Sequence, residues 1–150
     1  MTSKSPKRTR GKLYTLGYEG RSLDEYLQIL LDAGVRRLCD VRRNAFSHKK
    51  GFSKGPLGRA CEAAGIAYEH RPELGIAAAE RRAVNTPADR VALFKKYARD
   101  TLPQQQAALD AILSRLRAGE RVALTCFERD PQDCHRLRVV EALTVPCTHL

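Results

Sequence analysis

Residues 12–40, KLYTLGYEGRSLDEYLQILLDAGVRRLCD, decide the fold. Lys12–Leu16 is a short apolar-rich stretch ending at Gly17, suited to a first strand. Ser22 stands three residues ahead of Glu25, the spacing of a capping box in which hydroxyl and carboxylate each satisfy an unpaired backbone N–H. Leu23, Tyr26, Leu27, Leu30 and Leu31 follow at helical spacing, and Gly34 occupies the place of a C-terminal cap glycine. This pattern predicts a helix over about Leu23–Ala33, with Val35–Asp40 leaving it as a second strand. Two strands joined through a helix by such short connections run parallel, because the helix returns the chain to the end of the sheet where it started.

The same alternation continues outward. Val41–Lys54 is polar, basic and glycine-containing, a loop at the carboxyl end of the second strand. Pro56 can open a helix carrying Leu57, Ala60, Cys61 and Ala64 on one face, closed by Gly65, before a third strand at Ile66–His70. Arg71–Pro87 reads as an irregular excursion with a short helical piece, followed by helical registers over Ala88–Thr101 and Gln104–Arg117. Arg121–Cys126 has the short apolar run of a buried central strand, Cys134–Leu143 is the last helix, and Val145–Leu150 suits an edge strand. The expected fold is α/β: a three-layer domain around a mainly parallel, doubly wound sheet of the Rossmann-like or flavodoxin-like kind. Residues 12–150 form its single domain and 1–11 a flexible basic tail.

Composition agrees with one such domain. The chain has 150 residues, of which 43% are hydrophobic, which excludes a largely disordered protein. No apolar run approaches the roughly 20 residues of a membrane span, so no membrane partner is expected. The polar, basic start lacks the apolar core of a secretory signal, and the expected location is cytoplasmic, with the five cysteines mostly reduced. The net charge of +10 is local. Five cations and no acid lie in residues 1–12, and eight cations against Asp40 alone lie in residues 36–59; the remainder is slightly acidic.

In a parallel sheet, ligands collect beyond the carboxyl ends of the strands. Three segments fall there: Gly17-Tyr18-Glu19, Asp40-Val41-Arg42, and Cys126-Phe127-Glu128 with Cys134-His135-Arg136 close behind. A cysteine at a helix N-terminus beside His135 and Arg136 has its thiolate favoured, and Arg136 offers a planar fork to phosphate or carboxylate. The candidate catalytic residues are Cys134, Cys126, Asp40 and Glu128, the carboxylates serving as general bases or, alternatively, as buttresses paired with Arg42 or Arg136. If Asp40 is catalytic, Asp40→Asn stops turnover and leaves the thermal midpoint nearly unchanged. Tyr18, Arg42, His135 and Arg136 are candidate substrate-binding residues. So are Phe52, Lys49, Lys50 and Lys54 of a loop whose aromatics and cations alternate, as on a single-stranded nucleic-acid surface. Cys126, Cys134 and His135 can be imagined on zinc, but the spacing is not that of the usual cysteine pairs, and no metal or other cofactor is assigned. A reversible disulfide between the two thiols is a further alternative. The Cys-x5-Arg loop of thiol phosphatases is absent, Gln132 standing where its arginine would be.

Gly17-Tyr18, Asp40-Val41-Arg42, Phe52, Gly65-Ile66-x-Tyr68, Leu74-Gly75, Tyr97, Cys126-x-Glu128 and Cys134-His135-Arg136 together resemble the bacterial and archaeal family known as domain of unknown function 488, over roughly residues 13–143. The resemblance implies a small α/β domain and supplies no reaction. The expected function is that of an enzyme acting on a phosphate-bearing substrate, a nucleotide or nucleic acid, at the strand-end Cys/Asp/Arg site. Alternatives are a non-catalytic nucleic-acid-binding module using the tail and loop 42–54, or a thiol redox sensor. Nothing in the sequence sets an oligomeric state.

Overall fold

The structure, a computed structural model, describes residues 8–150, so most of the expected tail lies outside the described residues. Gly11, the last residue of the expected tail, is buried, and its N–H donates to the Leu116 carbonyl at 2.8 Å. Five strands, β1 (Lys12–Gly17), β2 (Arg37–Asp40), β3 (Ala67–His70), β4 (Arg121–Cys126) and β5 (Cys147–His149), form one sheet in the order β3-β2-β4-β1-β5. Every pairing is parallel.

Helices cover both faces. On one, α1 (Leu23–Asp32) and α2 (Lys54–Ala63) bury Tyr26, Leu30, Leu57 and Cys61 against Leu16, Leu38 and Ala123. On the other, α5 (Gln106–Arg117) and α6 (Arg136–Leu143) bury Leu109, Ile112, Leu116, Val139 and Leu143 against Leu13, Val122 and Leu124. Alternate residues of β4 thus enter different cores, as strand geometry requires. The three-layer α/β expectation holds.

The connection between β3 and β4 departs most from the sequence reading. A 3-10 turn (Pro72–Leu74) and α3 (Ala78–Arg82) lead to α4 (Pro87–Lys96). Thr86 caps α4: its hydroxyl accepts from the Asp89 N–H at 3.0 Å while the Asp89 carboxylate accepts the Thr86 N–H at 3.2 Å. The capping box expected at α1 is present only in its first half, with Ser22 accepting from the Glu25 N–H at 3.1 Å. A π-helical turn over Tyr97–Thr101 and a 3-10 turn over Leu102–Gln105 join α4 to α5.

Candidate active site at the carboxyl edge of the sheet

Strand order places β4 between β1 and β2, so its carboxyl end is flanked by both. Gly17 pairs with Cys126 and Asp40 with Thr125. Backbone bonds carry the ladder past the strand ends, from the Tyr18 N–H to the Cys126 carbonyl (3.2 Å), Glu19 to Phe127 (2.8 Å) and Val41 to Thr125 (3.1 Å). The three segments read from the sequence meet at one edge.

Asp40 is fully buried there. Arg42 donates to it from Nε at 2.9 Å, from Nη2 at 2.7 Å and from its backbone N–H at 3.2 Å, and the Tyr68 hydroxyl adds a fourth bond at 2.5 Å. Both carboxylate oxygens are thus engaged, which is the buttress arrangement and leaves poor access for a general base. Burial opposes the Arg42 charge, but the bonds to Asp40 outweigh it and hold the guanidinium protonated above its ordinary range. Arg42 Nη1 also donates to the Tyr18 hydroxyl at 3.2 Å. Tyr68 is therefore part of this polar network.

Beyond β4 the chain turns through a 3-10 segment (Pro131–Asp133), and Cys134 is extended, with α6 starting only at Arg136. The Cys134 sulfur accepts the Arg136 N–H at 3.4 Å from one residue ahead of the N-cap, His135, so Cys134 lies outside the first turn of the helix. Cys126 and Cys134 are joined as a disulfide, the redox alternative to the expected free thiols. Arg136 is only 1% exposed and is no open anion fork. Its Nη1 donates to the Glu128 carbonyl at 2.6 Å and lies 3.2 Å from Cys126 Sγ, while Nη2 donates to the Arg129 carbonyl at 3.2 Å. Its Nε is buried without a partner among the described residues. Burial lowers its pKa, with Glu128 acting in the opposite direction.

His135 is buried, and its Nε2 donates to the Val41 carbonyl at 2.7 Å; desolvation lowers its pKa to about 4, leaving a neutral ring. Glu128 lies with Oε2 3.4 Å from Cys126 Sγ, and desolvation raises its pKa above the usual carboxylate value against the pull of Arg81 and Arg136. Potential metal-ligand atoms of Cys126, Cys134 and His135 all lie within 4.8 Å of one another. Above them opens a pocket of about 120 Å³, lined by Cys126, Glu128 and His135 together with Arg42, Arg43 and Arg81.

A family model described as domain of unknown function DUF488 matches residues 22–143. The chain belongs to that family. The match runs from the α1 cap to the end of α6 and leaves out the Gly17-Tyr18-Glu19 segment. Searches of curated proteins and of solved structures gave no match.

The basic loop of this DUF488 domain divides between core and surface. Phe52 is fully buried, stacked on Tyr18 at 4.5 Å, so it cannot receive a base, and the predicted alternation of exposed aromatics reduces to Phe46, 59% exposed. Tyr18 is itself only 3% exposed. Lys49 packs over the Phe52 ring at 5.6 Å, and neither it nor Lys50 nor Lys54 lines the pocket. Among the pocket residues outside the candidate site residues are Arg43, Arg81 and Phe127. Phe127 lies inside the Cys-x-Glu motif and Arg43 in the basic loop, so both carry a local signal. Arg81 carries none, since its place depends on how the β3–β4 connection folds back.

Proposed function

We propose that this domain is an enzyme acting on a phosphate-bearing substrate, with the phosphate taken into the pocket at the carboxyl edge; Cys126 and Glu128, which line it, and Cys134, the disulfide partner of Cys126, are the reactive groups. The observation that carries this reading is the pair Arg43 and Arg81. Both are exposed, both line the pocket, and neither has an ion-pair partner among the described residues. Of the acids nearby, Asp40 is held by Arg42 and Asp133 faces Arg90 at 3.0 Å, while Glu128 feels the charge of Arg81 without closing an ion pair on it. A volume of about 120 Å³ suits a phosphate group better than a whole nucleotide. The remainder of the substrate would lie at the mouth, where Phe46 and Phe127, 59% and 45% exposed, offer flat apolar surface to a base.

The test is calorimetric titration of the reduced protein with inorganic phosphate and with a nucleoside 5′-monophosphate. Arg43→Ala and Arg81→Ala are each expected to weaken binding about tenfold or more, corresponding to the roughly 1.5–3 kcal/mol of a hydrogen bond to a charged group. Bound phosphate is also expected to slow alkylation of Cys126. Equal binding of the uncharged nucleoside, or affinities unchanged in both variants, would sink the reading.

A further inference from the structure

We infer that, in its reduced form, the cluster at the pocket floor is a mononuclear site for a divalent transition metal of the Zn²⁺ type, with Cys126 Sγ, Cys134 Sγ and His135 Nδ1 as ligands. The assignment concerns metal binding and stands whether or not the pocket takes phosphate.

Four observations converge on it. The first is the imidazole. Its Nε2 faces the Val41 carbonyl at 2.7 Å, and a carbonyl only accepts, so the proton sits on Nε2 and the Nδ1 lone pair is left free on the side of the Cys134 sulfur. A histidine whose second nitrogen donates to a backbone carbonyl is oriented as metal-bound histidines are. The second is spacing. Around a tetrahedral zinc, with bonds of about 2.3 Å to sulfur and 2.0–2.1 Å to nitrogen, a thiolate and an imidazole nitrogen lie roughly 3.6 Å apart. Cys134 Sγ and His135 Nδ1 are 3.7 Å apart.

The third is the backbone. The Cα atoms of Cys126 and Cys134 are 7.4 Å apart, wider than the roughly 4.4–6.8 Å usual across a disulfide. Two thiolates on one zinc require their sulfurs about 3.8 Å apart, so this spacing suits sulfurs that share an ion. The fourth is charge. Two thiolates cancel a dication, and the guanidinium of Arg136, 3.2 Å from Cys126 Sγ, offsets the Glu128 carboxylate beside it.

Three protein ligands leave one position of a tetrahedron, and because Cys126 and His135 both line the pocket, that position faces the cavity. This is the ligand count of catalytic zinc. Structural zinc closes all four positions.

The balance is explicit. A dithiol reductant supplies two electrons and two protons to convert the Cys126–Cys134 disulfide to two thiols, itself becoming a disulfide. Metal binding then displaces both thiol protons, so two protons leave for each ion bound.

The experiment uses the full chain, reduced with a dithiol, freed of reductant and metal without oxygen, and titrated with Co²⁺. One equivalent is expected to bind, giving a thiolate-to-cobalt charge-transfer band in the near ultraviolet and the intense visible bands of tetrahedral cobalt, both erased by one equivalent of Zn²⁺. Cys134→Ser should remove about half of the charge-transfer intensity. His135→Ala should weaken binding by more than the roughly 10–100-fold lost with an outer-shell partner. Failure of the reduced wild-type protein to bind Co²⁺, or binding without a charge-transfer band, overturns the assignment without reference to any variant's folding. Because no phosphate is present, this result is independent of the test of the substrate reading.

Discussion

Asp40 and Arg42 stand two residues apart at a strand end, and alternation alone brings their side chains to one side of the chain. What the spacing could not reveal is their depth. Asp40 is fully buried, and four donors converge on it. Removing the charge strands a buried guanidinium, so Asp40→Asn is expected to destabilise the domain by about 3 kcal/mol or more, read as a lower urea midpoint. Adding Arg42→Met should recover part of that loss, because the second substitution removes the stranded charge. A variant with unchanged midpoint and no turnover would instead restore Asp40 to a catalytic role. The same limit of legibility applies to Arg136. Its place in Cys-His-Arg suggests an open anion fork, yet it lies buried with its donors on the carbonyls of residues 128 and 129, since only the folded loop shows where those carbonyls point.

At the scale of elements, the joint between β1 and the β4 loop is the tightest place near the site. A Cβ on Gly17 would lie 1.8 Å from the Glu128 carbonyl oxygen, and that oxygen receives the 2.6 Å bond from Arg136. Gly17→Ala therefore has to displace backbone. It is expected to cost about 1–3 kcal/mol and to lower phosphate affinity along with the thermal midpoint. Gly55 in α2 is the contrast: its Cβ would meet only the end of the Arg59 side chain, at 3.3 Å. Gly55→Ala should be neutral or stabilising by up to about 1 kcal/mol, through helix propensity. Elements with strong local signals, such as α1 with its cap and apolar spacing, are legible in the sequence. The α4 cap is equally local, Thr86 three residues before Asp89, but it lies within a stretch that Asn85 and Pro87 make look irregular.

Across the whole molecule, charge sorts into two groups with different expected roles. Arg43 and Arg81 line the pocket, whereas Lys49, Lys50 and Lys54 lie outside its lining. Replacing the three lysines by glutamine is expected to leave phosphate affinity within about twofold. If the chain also holds single-stranded nucleic acid, the same replacement should flatten the salt dependence of that binding, by about 0.7 in log–log slope for each phosphate no longer neutralised. A filter-binding series over salt concentration, run beside the phosphate titration, separates the two surfaces. Loss of phosphate affinity in the lysine variant would show that the pocket is not the anion site.

The sequence by itself determined the layer architecture, the parallel direction of the strands and which three segments would meet at the carboxyl edge, because periodicity, caps and short joints are local and the crossover rule follows from them. Only the tertiary structure decided that β4 lies between β1 and β2, which side chains at that edge are buried, and that Arg81 comes to the same pocket as Cys126. Strand order and burial depend on contacts between residues far apart in the chain. No spacing along the chain encodes them.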